Sequence, residues 1–253
     1  MSASLDVPLP GGSVASVTQS HVFELGTVDV NGVTLAYRAA GDPAAPPMVL
    51  LHGLGDDGRD WGGVHAAFAA TYRVYALDLR GHGRSSHPGR YSFELMRDDV
   101  IGFLATVGID RCVLIGHSMG GIVAVLLAET APHLVTHLIL ADMTAPRSGG
   151  LKRPPLQPPD EPTPFDFAAV NAIRAQINDP DPAWWDDMKA ISTPTLIIGG
   201  ARSVIPQHLL AETAERMPDA TLVTIDAGHH VHHDEPAEFI AAVDAFLAVR
   251  VVR

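Results

Sequence analysis

The chain has 253 residues, 47% of them hydrophobic, and a formal net charge of −12. That length and apolar content suit one α/β domain with a sizeable core, while the acidic balance gives a surface that repels phosphate backbones and anionic lipid, which argues against nucleic-acid and membrane partners. No apolar run reaches the roughly eighteen residues a membrane span requires, and a lone cysteine, Cys112, leaves no internal disulfide framework and fits a reducing, cytoplasmic setting.

Residues 1–20 read as a loose polar leader, without the basic and apolar regions of a secretory signal. The runs at 21–30 and 33–41 flank Asn31-Gly32, a strong hairpin signal. Short β-rich runs follow at 47–53, 72–81, 112–118, 137–143, 193–200 and 220–228. Several are apolar on successive residues, as strands covered on both faces should be. Helical patterns lie between and after them at 60–70, 92–107, 119–131, 207–217 and 236–250. This alternation predicts βαβ units and a largely parallel sheet. Ligands then sit beyond the carboxyl ends of the strands.

Residues 146–164, "PRSGGLKRPPLQPPDEPTP", break the rhythm, since a segment so dense in proline is neither a helix nor a central strand. Helices are expected just after it, in "FDFAAVNAIRAQI" and "DPAWWDDMKAI". Residues 143–193 read as an insertion over a core made of 21–142 and 194–253. The competing reading, a linker between two domains, leaves too little chain after it for an independent fold.

"GHSMGG", residues 116–121, follows a strand and opens an apolar helix, which is the context of a G-x-S-x-G nucleophile elbow. The turn lifts the Ser118 hydroxyl above the sheet edge, over a helix N-terminus that favours developing negative charge. A capping serine in an ordinary βα turn is the bland alternative. A nucleophilic serine needs a base, and "DAGHHVHHDEP", residues 226–236, offers four histidines after the last strand. His229 comes first there and is the chosen base. His230, His232 and His233 read as a solvated loop, and a metal site is disfavoured because the paired histidines do not converge without an unusual turn. For an oxyanion, the backbone N–H groups of Leu54, in "LLHGLGDDGRDW", and of Met119 are the assigned donors.

These segments, with "LDLRGHGRSS", stand in the order and spacing of the α/β-hydrolase superfamily, and the chain resembles its esterase, lactonase and haloperoxidase-like branch. The likeness runs from about residue 28 to the C-terminus and fails only in the proline-rich insertion. It implies an α/β-hydrolase fold: an eight-stranded, mostly parallel sheet flanked by helices, with a small cap in the insertion. It also implies Ser118 as nucleophile and His229 as base. Residues 78–85, "DLRGHGRS", are a family loop read as structural, with Arg80 shaping the turn. The family's usual acid follows the penultimate strand, but "GGARSVIP" puts Arg202 at that position. The family's second solution has the acid after the sixth strand, which here is Asp142 in "LILADM". Ser118, Asp142 and His229 then keep the expected chain order. Asp226 is a further candidate acid, and a Ser–His dyad without an acid is the remaining option. Arg202 is read as lowering the pKa of Asp142, as binding an anionic substrate group, or as a solvated surface residue.

The implied reaction is acyl transfer on a small-molecule carboxylic ester or lactone, with no cofactor and no metal. Thioester, amide and carbon–carbon cleavage and perhydrolysis use the same parts. A receptor-like binding protein with little turnover is the rival from another class. Met143, Phe165, Phe167, Trp184 and Trp185 are candidates for an acyl pocket, or else they pack the insertion on the body. The oligomeric state, monomer or homodimer, is left open.

Overall fold

The apolar runs become strands because their side chains alternate between two buried layers. In the computed structural model, which describes residues 23–150 and 152–250, eight strands form one sheet. They are β1 (Glu24–Val30), β2 (Val33–Ala40), β3 (Pro47–Leu51), β4 (Arg73–Leu77), β5 (Cys112–His117), β6 (Val135–Ala141), β7 (Thr195–Gly200) and β8 (Ala220–Ile225). Their spatial order is β1-β2-β4-β3-β5-β6-β7-β8. Only β2 runs against its neighbours; the other pairs are parallel. The leader read at 1–20 lies outside the described residues.

Val49, Leu51, Leu114, Leu138, Leu140 and Ile197 point to one face of the sheet. Met48, Leu50, Ile115, Ile139, Leu196 and Ile198 point to the other. In the central strands neither face meets water, so the period-2 signature is hidden in a continuous apolar run. Helices α2 (Phe93–Val107) and α3 (Met119–Thr130) cover the first face, joined by α4 (Phe167–Asn178), α5 (Pro182–Asp186) and α6 (Gln207–Arg216). Helix α1 (Gly62–Phe68), the short α7 (Val231–Asp234) and α8 (Pro236–Arg250) cover the second. Asn31 and Gly32 both have positive φ, 49° and 77°, as a two-residue hairpin turn demands. No helix among the described residues is long and apolar enough to cross a membrane.

Between β6 and β7 the chain leaves the sheet. The proline-rich stretch has few N–H donors of its own, and α4 compensates for this. Asn171, Arg174 and Asn178, on one face of α4, donate to the carbonyls of Leu156, Pro154 and Arg153 at 3.0, 2.9 and 2.7 Å. The far end is fastened to the 78–85 loop, where Gly83 N–H donates to Pro164 O at 2.8 Å and Asp166 N–H to Gly81 O at 2.7 Å.

That loop is itself tied into the body. Asp78, fully buried, accepts from Arg38 and from the N–H groups of Gly58 and Arg84 at 2.7–2.9 Å. Arg80 makes a bidentate pair with Asp99 of α2 at 2.5 and 2.6 Å, both side chains at most 5% exposed. Removing one partner strands a buried charge, whereas replacing both does not. Arg80→Met is therefore expected to cost about 3–5 kcal/mol in urea unfolding, and Arg80→Met/Asp99→Leu to recover most of it.

Candidate active site

Two close approaches shape the site. A Cβ on Gly116 would lie 2.4 Å from Gly120 O, and one on Gly120 would lie 2.3 Å from Leu51 O, so the elbow tolerates no side chain at either position. The turn between them leaves Ser118 at φ 48°, ψ −112°, immediately before α3. Ser118 is the neighbour of β6 through its N–H, which donates to Ala141 O at 3.1 Å. A second approach occurs at Gly200, where a Cβ would meet Gly228 O at 2.1 Å. The end of β7 therefore lies directly beneath the loop that carries His229.

The structure brings Ser118, His229 and Asp142 together from three strand ends. His229 Nε2 is 3.0 Å from Ser118 Oγ, and its Nδ1 is 2.6 Å from Asp142 Oδ2. A carboxylate oxygen accepts, so the ring proton sits on Nδ1 and the Nε2 lone pair faces the serine hydroxyl. Asp142 has no exposed surface, and its φ is 44°. Its Oδ1 accepts from Gly200 N–H at 2.9 Å, and its Oδ2 accepts from the Ser203 hydroxyl as well as from His229. Ser203 is a partner that sequence reasoning missed. It sits one residue beyond the position where an acid was sought, and the signal for it is indirect, since a buried carboxylate needs a donor on every side.

Leu54 and Met119, the assigned oxyanion donors, both line the cavity that reaches Ser118. No hydrogen bond occupies either N–H among the described residues. The loop carrying Leu54 is held by His52, whose Nε2 accepts from Leu79 N–H at 3.0 Å and whose carbonyl accepts from Gly120 N–H at 3.1 Å. The cavity holds about 140 Å³ and its apolar wall includes Ile122, Met143, Ile173 and Ile205.

Several expectations are corrected. Arg202 does not reach Asp142 and does not line the cavity; it is 58% exposed and pairs with Asp226. Asp226 is correspondingly turned outward and makes no bond to His229. The cations that line the cavity are Arg147, which pairs with Glu212, and Arg153, both of the proline-rich stretch. Of the proposed pocket aromatics, none is in the wall. Trp184 is buried edge-on against Phe93, with ring centroids 5.4 Å apart. Trp185 has the guanidinium groups of Arg147 and Arg216 over its ring, at 5.1 and 5.5 Å from the centroid. Phe165 and Phe167 stack on one another, and Phe165 also packs on His82. These large rings fasten the inserted segment to the body, where area burial is greatest. The histidines after β8 are not a uniformly solvated loop. His232 is fully buried, stacks on Trp61 and bonds Asp60 at 2.7 Å. His233 is exposed as expected, and the His230 side chain is 45% exposed.

Asparagine at position 142 would offer His229 a donor as readily as an acceptor. Asp142→Asn is expected to move the His229 proton from Nδ1 to Nε2, read by imidazole 15N chemical shifts, while Asp226→Asn leaves the shifts unchanged.

A family model described as the alpha/beta hydrolase family matches residues 48–242. A putative esterase/lipase of Haemophilus influenzae is 30% identical over a 247-residue alignment that covers 80% of this chain and 83% of that protein. An sn-1-specific diacylglycerol lipase of Mus musculus is 30% identical over 268 aligned residues, covering 87% of each chain. Among solved structures, the enol-lactonase of Burkholderia xenovorans is similar at a TM-score of 0.78 and 26% identity, covering 88% of this chain and 100% of that one.

Proposed function

The chain belongs to the alpha/beta hydrolase family, and on that premise we propose that it is a serine hydrolase that cleaves a small carboxylic ester or lactone through an acyl-enzyme. The observation that carries this reading is the 3.0 Å approach of His229 Nε2 to Ser118 Oγ, with the opposite ring nitrogen held by Asp142.

Ser118 Oγ attacks the substrate carbonyl as His229 Nε2 takes its proton. The carbonyl oxygen becomes an oxyanion between the N–H groups of Leu54 and Met119, beside the N-terminus of α3. The Asp142 carboxylate stabilises the imidazolium formed at this point. His229 then protonates the departing alkoxide, leaving the acyl group on Ser118. A water deprotonated by His229 repeats the sequence and releases the acid. All the groups come from one chain, so a monomer and a homodimer serve equally. The mechanism calls for no cofactor and no metal at the reacting atoms.

A cavity of about 140 Å³ favours a short acyl group over a long one. Arg153 in its wall suits a substrate whose acyl or alcohol portion carries a carboxylate.

The test is the initial rate on p-nitrophenyl butyrate. Wild type is expected to turn over many equivalents, Ser118→Ala to fall by at least about a thousandfold, and Asp142→Asn by up to about 10⁴-fold. Equal rates for wild type and Ser118→Ala would sink the reading and favour a ligand-binding role. Turnover of p-nitrophenyl palmitate as fast as butyrate would overturn the short-acyl assignment.

A further inference from the structure

Next to His229 lies a second group of polar side chains that the reaction does not use. Its centre is His117, the last residue of β5, which is 1% exposed. His117 Nε2 lies 2.9 Å from the carbonyl oxygen of His229. A carbonyl only accepts, so the ring proton is on Nε2 and Nδ1 carries a lone pair. No donor among the described residues reaches that Nδ1. Its near neighbour is Asp60 Oδ2, at 3.9 Å, another acceptor.

The surroundings are of the same kind. Asp56, His117 and His230 each present one ligand atom within 4.8 Å of the others, and Asp60, His117 and His232 do likewise. His230 Nε2 is 3.6 Å from Asp56 Oδ2. Asp60 is fixed by His232 at 2.7 Å. A buried lone pair facing two carboxylates is an arrangement a cation relieves.

We propose that His117 Nδ1, His230 Nε2 and Asp56 bind one divalent transition-metal ion of the zinc class. Two imidazole nitrogens and one carboxylate oxygen are a zinc donor set, and a tetrahedral ion leaves the fourth position to solvent or to Asp60. Bonds of about 2.0–2.1 Å place the ligand atoms about 3.4 Å apart. The separations at hand are wider, 3.6 Å between His230 Nε2 and Asp56 Oδ2 and within 4.8 Å for the others, and the two ligands that must close in, Asp56 and His230, are the more exposed ones, at 31% and 45%. His117 needs no adjustment, because the His229 carbonyl already sets the tautomer a metal requires. His230 provides the route of entry from solvent. The bound ion joins three segments: the loop after β3, the strand end beside Ser118 and the loop that carries His229. Its role is to fasten that loop, and it takes no part in bond cleavage.

Binding is measured without turnover, so the outcome is independent of the hydrolase reading. The tag-free full chain is treated with chelator, dialysed and titrated with Zn²⁺ by calorimetry at pH 7.5. One ion per chain is expected, with a Kd of about 10 μM or tighter and a rise in Tm on saturation. Asp56→Asn/His230→Gln is expected to weaken binding at least about tenfold and to abolish the rise in Tm. His233→Ala, on the exposed histidine outside the cluster, is expected to bind as wild type does. Circular dichroism and the metal-free Tm check that the double variant folds; if it does not, His230→Gln alone replaces it. Undiminished affinity in the variant, dependence on His233, or no binding below about 1 mM overturns the proposal.

Discussion

The site depends on a carboxylate that has no contact with water. Asp142 is fully buried at the end of β6, and a buried carboxylate persists only where donors surround it. Three elements supply them: the Gly200 N–H at the end of β7, the Ser203 hydroxyl in the turn that follows, and His229 beyond β8. Each donor is placed by the sheet register. β6 pairs with β7 and β7 with β8, and the contact of Gly200 with Gly228 brings the histidine loop down to the carboxylate. Loosening any one of these would leave Asp142 short of a donor, and His229 would lose the bond that orients its ring.

The fold was legible because it rests on local signals. Strands covered on both faces read as apolar runs, the Asn31-Gly32 turn has the residues that positive φ requires, and the elbow carries glycines where no Cβ fits. The relation of Ser118 to His229 was legible for the same reason, since both follow strand ends that the pattern marks. The surroundings of Asp142 were harder to read. Ser203 acts across 61 positions of chain, and nothing in the neighbouring residues distinguishes it from a turn serine. The placing of the aromatics failed on similar grounds. A tryptophan in an inserted segment looks the same whether it lines a cavity or anchors the segment, and only packing decides, as Trp184 against Phe93 does.

His232 gives the sharpest contrast between composition and position. A run of four histidines among acidic residues has the composition of a solvated loop. The short helix α7 instead turns His232 inward, onto Trp61, and leaves His233 in water. Adjacent residues on a helix point about 100° apart, so paired histidines are divided between core and solvent by geometry alone. The 78–85 loop shows the opposite outcome. It was read as structural, and Asp78 and Arg80 indeed spend their charges on buried partners while the loop's glycines receive the end of the inserted segment.

Ser118 and Asp142 share a further property. Both have positive φ, 48° and 44°, although neither is glycine, and they stand side by side at the ends of β5 and β6. Backbone held in such regions costs of order 1–3 kcal/mol at each residue. Glycine at either position would relieve that strain and remove the side chain on which the proposed chemistry depends. Heat resistance and function are therefore opposed at Ser118, whereas at Asp142 the loss of the carboxylate would also leave three donors without their acceptor. A laboratory selection that rewarded only survival at high temperature would erode the elbow first, so a more durable form of this protein has to be sought under selection for turnover as well.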